Sequence, residues 1–398
     1  MKKKLMLLGG IRYLIPVIKA AHDLGAHVIT ADYLPDNVAH KYSDEYVNVS
    51  IIDKEAVLKV AQEKKIDGIM SFGVDPGVVT AAYVAEKLGL PTPPLESVEI
   101  LQNKDKFRDF LERNGFNCPF HKSYSLKDEA LQDKYDFPVI VKPVDSAGSK
   151  GCVRVDELKD LPRAIDAALA ESHAKRFIIE RFLEKVGYST DSDCFSVNDE
   201  LVFCSFNCQF FDREASNPYA PAGFFWPSTI EEDQQRYLRS ELQRLIRLLH
   251  LGTSVYNVEA RVAADGKAYI MEVSPRGGGN RLSEMLKLAT GQDLIENAVR
   301  FALGYNLAPM AEPSYRGIWA EVVVHSNRVG RFVSADVVDS KVAQQIVQRD
   351  MWVNPGDQIS SFTGANQTIG TLVLKFEDEN SAEMALSSVH SWLNVKVV

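Results

Sequence analysis

No stretch of this 398-residue sequence approaches the ~20 consecutive apolar residues that a membrane-spanning helix needs, which argues against a membrane protein. Cysteine is scarce: Cys118, Cys152, Cys194, Cys204 and Cys208 form an odd set with no CxxC and no His-rich spacing. Neither a disulfide framework nor a zinc site is indicated, and a reducing cytoplasm is expected. Basic runs are missing beyond Lys2 to Lys4 and the formal net charge is -9, so the electrostatic footprint of a nucleic-acid binder is absent. Those lysines precede LMLLGG, but the apolar run is short and Arg12 soon interrupts it, so a first buried strand fits better than a signal segment. Two nucleotide-binding signatures are lacking as well. The dinucleotide fingerprint GxGxxG fails at GGIRYL, and the small-residue loop at 145–151 has no GK[ST] ending of a Walker loop. The eight histidines are scattered, and no serine sits in a nucleophile-elbow context.

What is present is ordinary globular composition, 45% hydrophobic and 25% charged, with length for two or three domains. Up to about residue 95, apolar strands alternate with amphipathic helices: Lys4 to Leu8, a helix from about Tyr13 to Leu24, Ala26 to Thr30, Glu55 to Lys64 and Gly68 to Phe72. That rhythm predicts a parallel α/β unit. Gly9-Gly10 could meet an anion at the first helix N-terminus, and Asp32 sits where a ribose-binding acid would follow the second strand. Gly73 to Gly77 is either a ligand loop or a plain turn. Pro91, Pro93 and Pro94 mark a boundary.

Beyond it, a helix from about Lys104 to Asn114 stops at Gly115, and the strand Phe137 to Val144 carries Lys142 near its end. The loop Asp145 to Gly151 offers approachable backbone N–H groups, hydroxyls and Lys150 to phosphate oxygens, although glycine-serine turns are also common without a ligand. The strand Arg176 to Phe182 runs into Glu180-Arg181-Phe182-Leu183, whose extended backbone either faces an adenine edge or crosses between domains. Strands at about Tyr188 to Val197 and Leu201 to Gln209 precede a poorly periodic segment, Phe211 to Ser228, which reads as a functional or mobile loop. A helix follows from Glu231 to Leu251. Past residue 276, a glycine loop ends at Arg281, two helical stretches follow, and from about 311 strand-like alternation returns without a chemistry-bearing constellation.

The stretch Val255 to Arg276 predicts a β-hairpin about Asp265-Gly266, a dipeptide suited to a two-residue turn with both residues at positive φ. In that register Val258 faces Val273, Ala260 faces Met271 and Val262 faces Tyr269 on an apolar face. On the polar face Asn257 lies opposite Ser274 and Glu259 opposite Glu272, with the glutamate Cβ atoms about 5 Å apart. Directly opposed like charges destabilise a sheet. A divalent cation accounts for them, because Mg²⁺ is commonly held by one or two carboxylates while phosphates and waters complete its shell. Two solvated glutamates on an exposed face are the alternative. Arg276 would be a bidentate clamp for phosphate or carboxylate.

Taken in order, these segments resemble the ATP-grasp superfamily, of the carboxylate-amine ligase type found in purine biosynthesis, carbamoyl-phosphate-synthase-like proteins and L-amino acid ligases. The resemblance is specific over residues 104 to about 303 and topological over the first 95. It implies an α/β and α+β fold: an N-terminal Rossmann-like domain at 1–95, an ATP-grasp domain at 96–305 with a mobile lid at about 118–185, and a β-rich portion at 306–398. It implies ATP and Mg²⁺ as cofactors, with Mn²⁺ able to replace Mg²⁺. Lys104 and Lys142 would contact phosphates, Lys104 being preferred to Lys106 for its spacing to Gly115. Ser146, Gly148, Ser149 and Gly151 would form the phosphate flap, and Glu180, Arg181, Phe182 and Leu183 would hold adenine. Glu259, Glu272 and Ser274 would bind the metal, with Arg276 and Lys142 catalytic.

Two departures from the family pattern stand out. The usual EVNPR is Glu272-Val273-Ser274-Pro275-Arg276 here, so a hydroxyl replaces an amide at the second metal position. Gly187 replaces a ribose-gripping acid, which points to Glu184 instead. The expected partners are small-molecule carboxylates and amines, with neither nucleic acid nor membrane, and a homodimer is compatible with the class. Two other classes stay open: a nicotinamide-dependent enzyme on the N-terminal domain, and a non-catalytic nucleotide-binding regulator.

Overall fold

The computed structural model describes residues 2–146 and 148–398; Met1 and Ala147, the latter inside the expected flap, lie outside the described residues. The chain begins with a parallel sheet ordered Glu45–Asn48, His27–Asp32, Lys4–Leu8, Gly68–Ser71. Leu5 to Leu8 are fully buried because helices cover both faces, which is why this strand reads as an unbroken apolar run. Helix Ile15–Asp23 packs Val17, Ile18 and Ala21 against one face, and helix Lys54–Lys64 packs Val57 and Ala61 against the other. The two features weighed for a dinucleotide are both used internally. Asp32 accepts from the Leu34 N–H at 3.2 Å and the Asn37 amide at 3.0 Å. A Cβ on Gly10 would fall 2.5 Å from the His40 ring, so that glycine admits the 37–40 turn.

Helices Leu95–Gln102 and Lys104–Arg113 lead into an antiparallel sheet ordered His121–Tyr124, Phe177–Arg181, Val139–Pro143, Val153–Val155. Helix Leu161–Glu171 closes its core through Leu161, Ala164, Ile165 and Ala168. A second antiparallel sheet, ordered Glu200–Cys204, Thr190–Val197, Ser254–Val262, Ala268–Ser274, packs on helix Glu232–Leu248.

The third large sheet is ordered Cys208–Phe211, Pro221–Trp226, Ile318–Val324, Gly370–Phe376, Ile346–Met351. It draws strands from both sides of residue 305. The segment read from sequence as a loop, Phe211 to Ser228, therefore contains a strand. Phe225 enters one core while Phe224 and Trp226 enter another, so both faces are buried and no alternation is left to see. A three-stranded sheet, Gln358–Ile359, Gly330–Val337 and Leu393–Val397, completes the C-terminal part. Among the described residues no helix is long and apolar enough to cross a membrane.

Candidate functional site

The hairpin Ser254–Val262 and Ala268–Ser274 pairs Asn257 with Ser274, Val258 with Val273 and Glu259 with Glu272. Past Glu259 the register shifts: Ala260 faces Ile270, Arg261 faces Tyr269 and Val262 faces Ala268. The expected partners Met271 for Ala260 and Tyr269 for Val262 are thus corrected by one residue, with Met271 the extra residue of a β-bulge. The turn differs accordingly. Ala263 and Lys267 close it, the Gly266 N–H donates to the Ala263 carbonyl at 2.9 Å, and of Asp265-Gly266 only Gly266 has positive φ, +77°. This is the three-residue hairpin loop with a left-handed glycine. The shift sends Ala268 and Ile270 into the core and leaves Tyr269 and Met271 in a separate cluster with Leu183 and Ala263.

Strand Thr190–Val197 continues the polar row. Asp191 pairs with Glu259 and Asp193 with Asn257, so Asp191, Glu259 and Glu272 lie in register across three strands. Sequence reading missed both aspartates, although their i, i+2 spacing within one strand was a signal. Burial, then Glu272, raises the Glu259 carboxyl above its usual range; burial, then Glu259, does the same to Asp191. Asp193, fully buried, is pushed up to about 6 by burial while it accepts from Gly278 N–H at 2.9 Å and from Ser283. Like charges gathered this way call for a cation. Among the described residues no group of three or more His, Cys, Asp or Glu side chains could hold a metal by itself. The donors are hard oxygens from two facing glutamates, which fits a hard divalent ion whose shell is completed by a ligand's phosphates.

Lys104 and Lys142 flank this row. Lys104 Nζ lies 3.6 Å from Glu272 and donates to the Ser146 carbonyl at 2.9 Å, tying the flap to the glutamate row. Burial works against its charge, but Glu272 leads the anions that raise its pKa. Lys142 Nζ sits 2.7 Å from Glu180, whose other oxygen lies 3.0 Å from Arg108 Nε. Glu180 is 1% exposed; burial opposes its charge, but Arg108 and Lys142 outweigh it and bring the carboxyl down to about 2. The Glu180 side chain is thus a buried ion-pair centre. Arg261, missed by the sequence reading, is half-buried near Glu259, and desolvation lowers its pKa.

Two N–H groups of the segment expected to hold adenine are used within the fold. The Arg181 N–H donates to the Phe120 carbonyl and the Phe182 N–H to the Pro138 carbonyl, each at 2.9 Å, so both are taken by the fold. The Leu183 N–H finds no acceptor among the described residues, and its side chain joins Tyr269 and Met271 in an apolar patch beside it. Arg154, from strand Val153–Val155, lies 4.4 Å over the Phe182 ring and 2.7 Å from Glu184. The flap itself turns through Gly148, Ser149 and Gly151, all with positive φ.

Arg276 is 7% exposed and grips Asp75 in a two-point pair, Nε to Oδ1 at 2.8 Å and Nη2 to Oδ2 at 2.7 Å. It also donates to Asn257 Oδ1 and the Gly277 carbonyl. Burial opposes the charge on Asp75, but Arg276 holds the carboxyl below its usual range. The Gly73 to Gly77 turn is therefore a brace for Arg276. The Ser274 hydroxyl donates to Asp75 at 3.0 Å and accepts from Gln102 at 2.8 Å. Of the three expected metal donors, only the two glutamates are uncommitted in this way.

Residues 18–92 match the ATP-grasp N-terminal domain and residues 101–280 the ATP-grasp domain. The carbamoyl phosphate synthase large chain of Thermotoga petrophila is 24% identical over 288 residues, 71% of this chain and 26% of that protein. The chain thus spans between a quarter and a third of the length of the carbamoyl phosphate synthase large chains it matches. Among solved structures, L-amino acid ligase from Bacillus licheniformis superposes with a TM-score of 0.84 at 21% identity, over 100% of this chain and 99% of that one. Phosphoribosylglycinamide synthetase from Anaerococcus prevotii gives 0.76 at 20% identity over 100% of both. The two matched stretches take in more than half of the sequence and both glutamates of the polar row, and the chain belongs to the ATP-grasp family.

Proposed function

We propose that this protein is an ADP-forming ligase that activates a small-molecule carboxylate with Mg-ATP and joins it to an amine. The observation that carries the reading is Glu259 directly opposite Glu272 on an open polar face, with Lys104 and Lys142 beside them. Leu183 offers a free N–H and an apolar patch for adenine, and the flap offers backbone N–H groups to phosphates. The sheet and helix at about 118–185 act as the lid. Bound by Glu259 and Glu272, Mg²⁺ supplies neutralisation of phosphate charge.

The chain's own groups do the rest. A carboxylate oxygen attacks the γ-phosphorus, the bond to the bridging oxygen breaks and ADP leaves; Lys104 and Lys142 balance the charge that builds on the phosphate oxygens. The neutral amine then attacks the acyl carbon, inorganic phosphate departs and the amine proton is lost. The closed lid keeps water from the activated carboxyl. Arg276, braced by Asp75, orients the polar row through Asn257. An ADP-release screen over carboxylate and amine mixtures tests the reading. ADP release that requires both partners is the expected result; Mg-ATP binding without any release would favour a regulator.

A further inference from the structure

Glu321 stands in the middle of strand Ile318–Val324, fully buried between Phe224 and Val373 of the neighbouring strands. Neither carboxylate oxygen has a hydrogen-bond partner. A buried, unanswered carboxyl costs the fold free energy, and leucine would suit that sheet position better. The surroundings do not answer the charge. Arg281 faces it, but its guanidinium is held by Thr371 Oγ1 at 3.0 Å, Gln348 Oε1 at 3.0 Å and Glu284 at 3.3 Å. Glu321, Glu284 and Asp350 all act on that single guanidinium, so acid is in excess.

From the N-terminal unit Tyr13 joins the same buried cluster; its hydroxyl donates to Asn280 Oδ1 at 3.0 Å and lies within the field of Glu321 and Glu284. The buried Thr368 hydroxyl lies beside the Tyr13 hydroxyl and so leaves Glu321 unanswered. Asn280 and Arg281 hold positive φ, +48° and +55°, a conformation that side chains rarely adopt. Half-buried Trp352 meets Tyr13 edge-on at 5.8 Å and carries Arg12 at 5.2 Å, at the outer side of the cluster. The loop from Arg276 to Arg281 joins the cluster to the glutamate row.

We propose that Glu321 anchors an ammonium group of the second substrate, with Glu284, Tyr13, Asn280 and Thr368 around it. The assignment rests on the ligase reading for the identity of that substrate as an amine. Burial, opposed by Arg281 and aided by Glu284, raises the Glu321 carboxyl well above its usual range, so an arriving ammonium displaces a proton from it.

The test is calorimetry and thermal shift on the full chain with Mg-ATP and a panel of primary amines, methylammonium and the common amino acids, on wild type, Glu321→Gln and Glu321→Leu. The expected result is one or more amines that bind wild type with proton release, seen as a buffer-dependent enthalpy, and bind both variants at least tenfold more weakly. Mg-ATP affinity stays unchanged in both variants. Equal amine binding in wild type and variants, absence of any binding amine, or an equal Glu321-dependent response to K⁺ or Mg²⁺ overturns the assignment. Loss of Mg-ATP binding by wild type would instead overturn the ligase reading, so the two failures are separable. Glu321→Leu that folds with a higher Tm and an unchanged amine response would mark Glu321 as an idle buried acid, overturning the proposal.

Discussion

Glu180 and Glu259 sit on strands around the same site, yet their surroundings are opposite. Glu180 has Arg108 and Lys142 on its two oxygens and is held down to about 2. Glu259 has Glu272 across from it and Asp191 on its other side, and its carboxyl is raised, by burial first and Glu272 second. The difference teaches how the molecule divides its buried charge. One cluster is neutralised by the chain and fixes where the sheet of Phe177–Arg181 meets helix Lys104–Arg113; the other gathers carboxylates in excess, as the proposed metal site requires. A buried pair completed within the chain is costly to break, whereas a row with more carboxylates than nearby cations is costly to keep.

The sharpest way to break the contrast is Glu272→Gln. ADP release should fall by ~100-fold or more, the scale of losing one stabiliser of transition-state charge, while Tm holds or rises because a like charge is gone. Near-normal turnover in a coupled ADP assay would sink the role. Glu180→Ala should do the reverse to the fold, leaving Arg108 and Lys142 buried without an anion and costing about 3 kcal/mol in urea unfolding. A loss below ~1 kcal/mol would show that the pair is not the structural centre described.

The same carboxyl gives a pH signature. Its value falls from 4.5 unfolded to about 2 folded, so its stabilisation is fully present above the unfolded value and disappears as pH drops through the folded one. Glu180→Gln should flatten the acid limb of a stability-pH curve between those values; an unchanged limb would assign it to other acids. Mg-ATP at a hundred times its Kd should add about 2.7 kcal/mol to wild type and lose most of that with EDTA, whereas a Glu259→Gln/Glu272→Gln variant should show little response to the metal. The smallest effect belongs to Gly266→Ala, about 1 kcal/mol for the left-handed turn position, with both charge clusters chemically intact. A large loss of activity in that variant would show that the turn sets the glutamate register.

Local pattern made some of this legible. The strands of the parallel unit show as short apolar runs, and the alternation of Asn257, Glu259, Glu272 and Ser274 about a glycine turn puts the glutamates opposite one another. The bulge escaped a two-residue register, yet Tyr269-Ile270-Met271 has no alternation, and that apolar triplet marks the slip. Asp191 and Asp193 could not be tied to the row, because that depends on which strand docks beside the hairpin. The Arg276 pair with Asp75 spans 201 positions and has no local trace. Glu321 was passed over inside an apolar strand whose two-sided burial hid its face.

The sheet that runs across residue 305 has a practical consequence. Strand Ile318–Val324 pairs with Pro221–Trp226 on one edge and Gly370–Phe376 on the other, while residues 304–317 form no helix or strand between them. A polypeptide nicked in that connector would give two fragments that zip together along Pro221–Trp226, with Arg281 on the first and Glu321 on the second. Neither fragment alone would bring Arg281 beside Glu321, so that contact would depend on their reassembly.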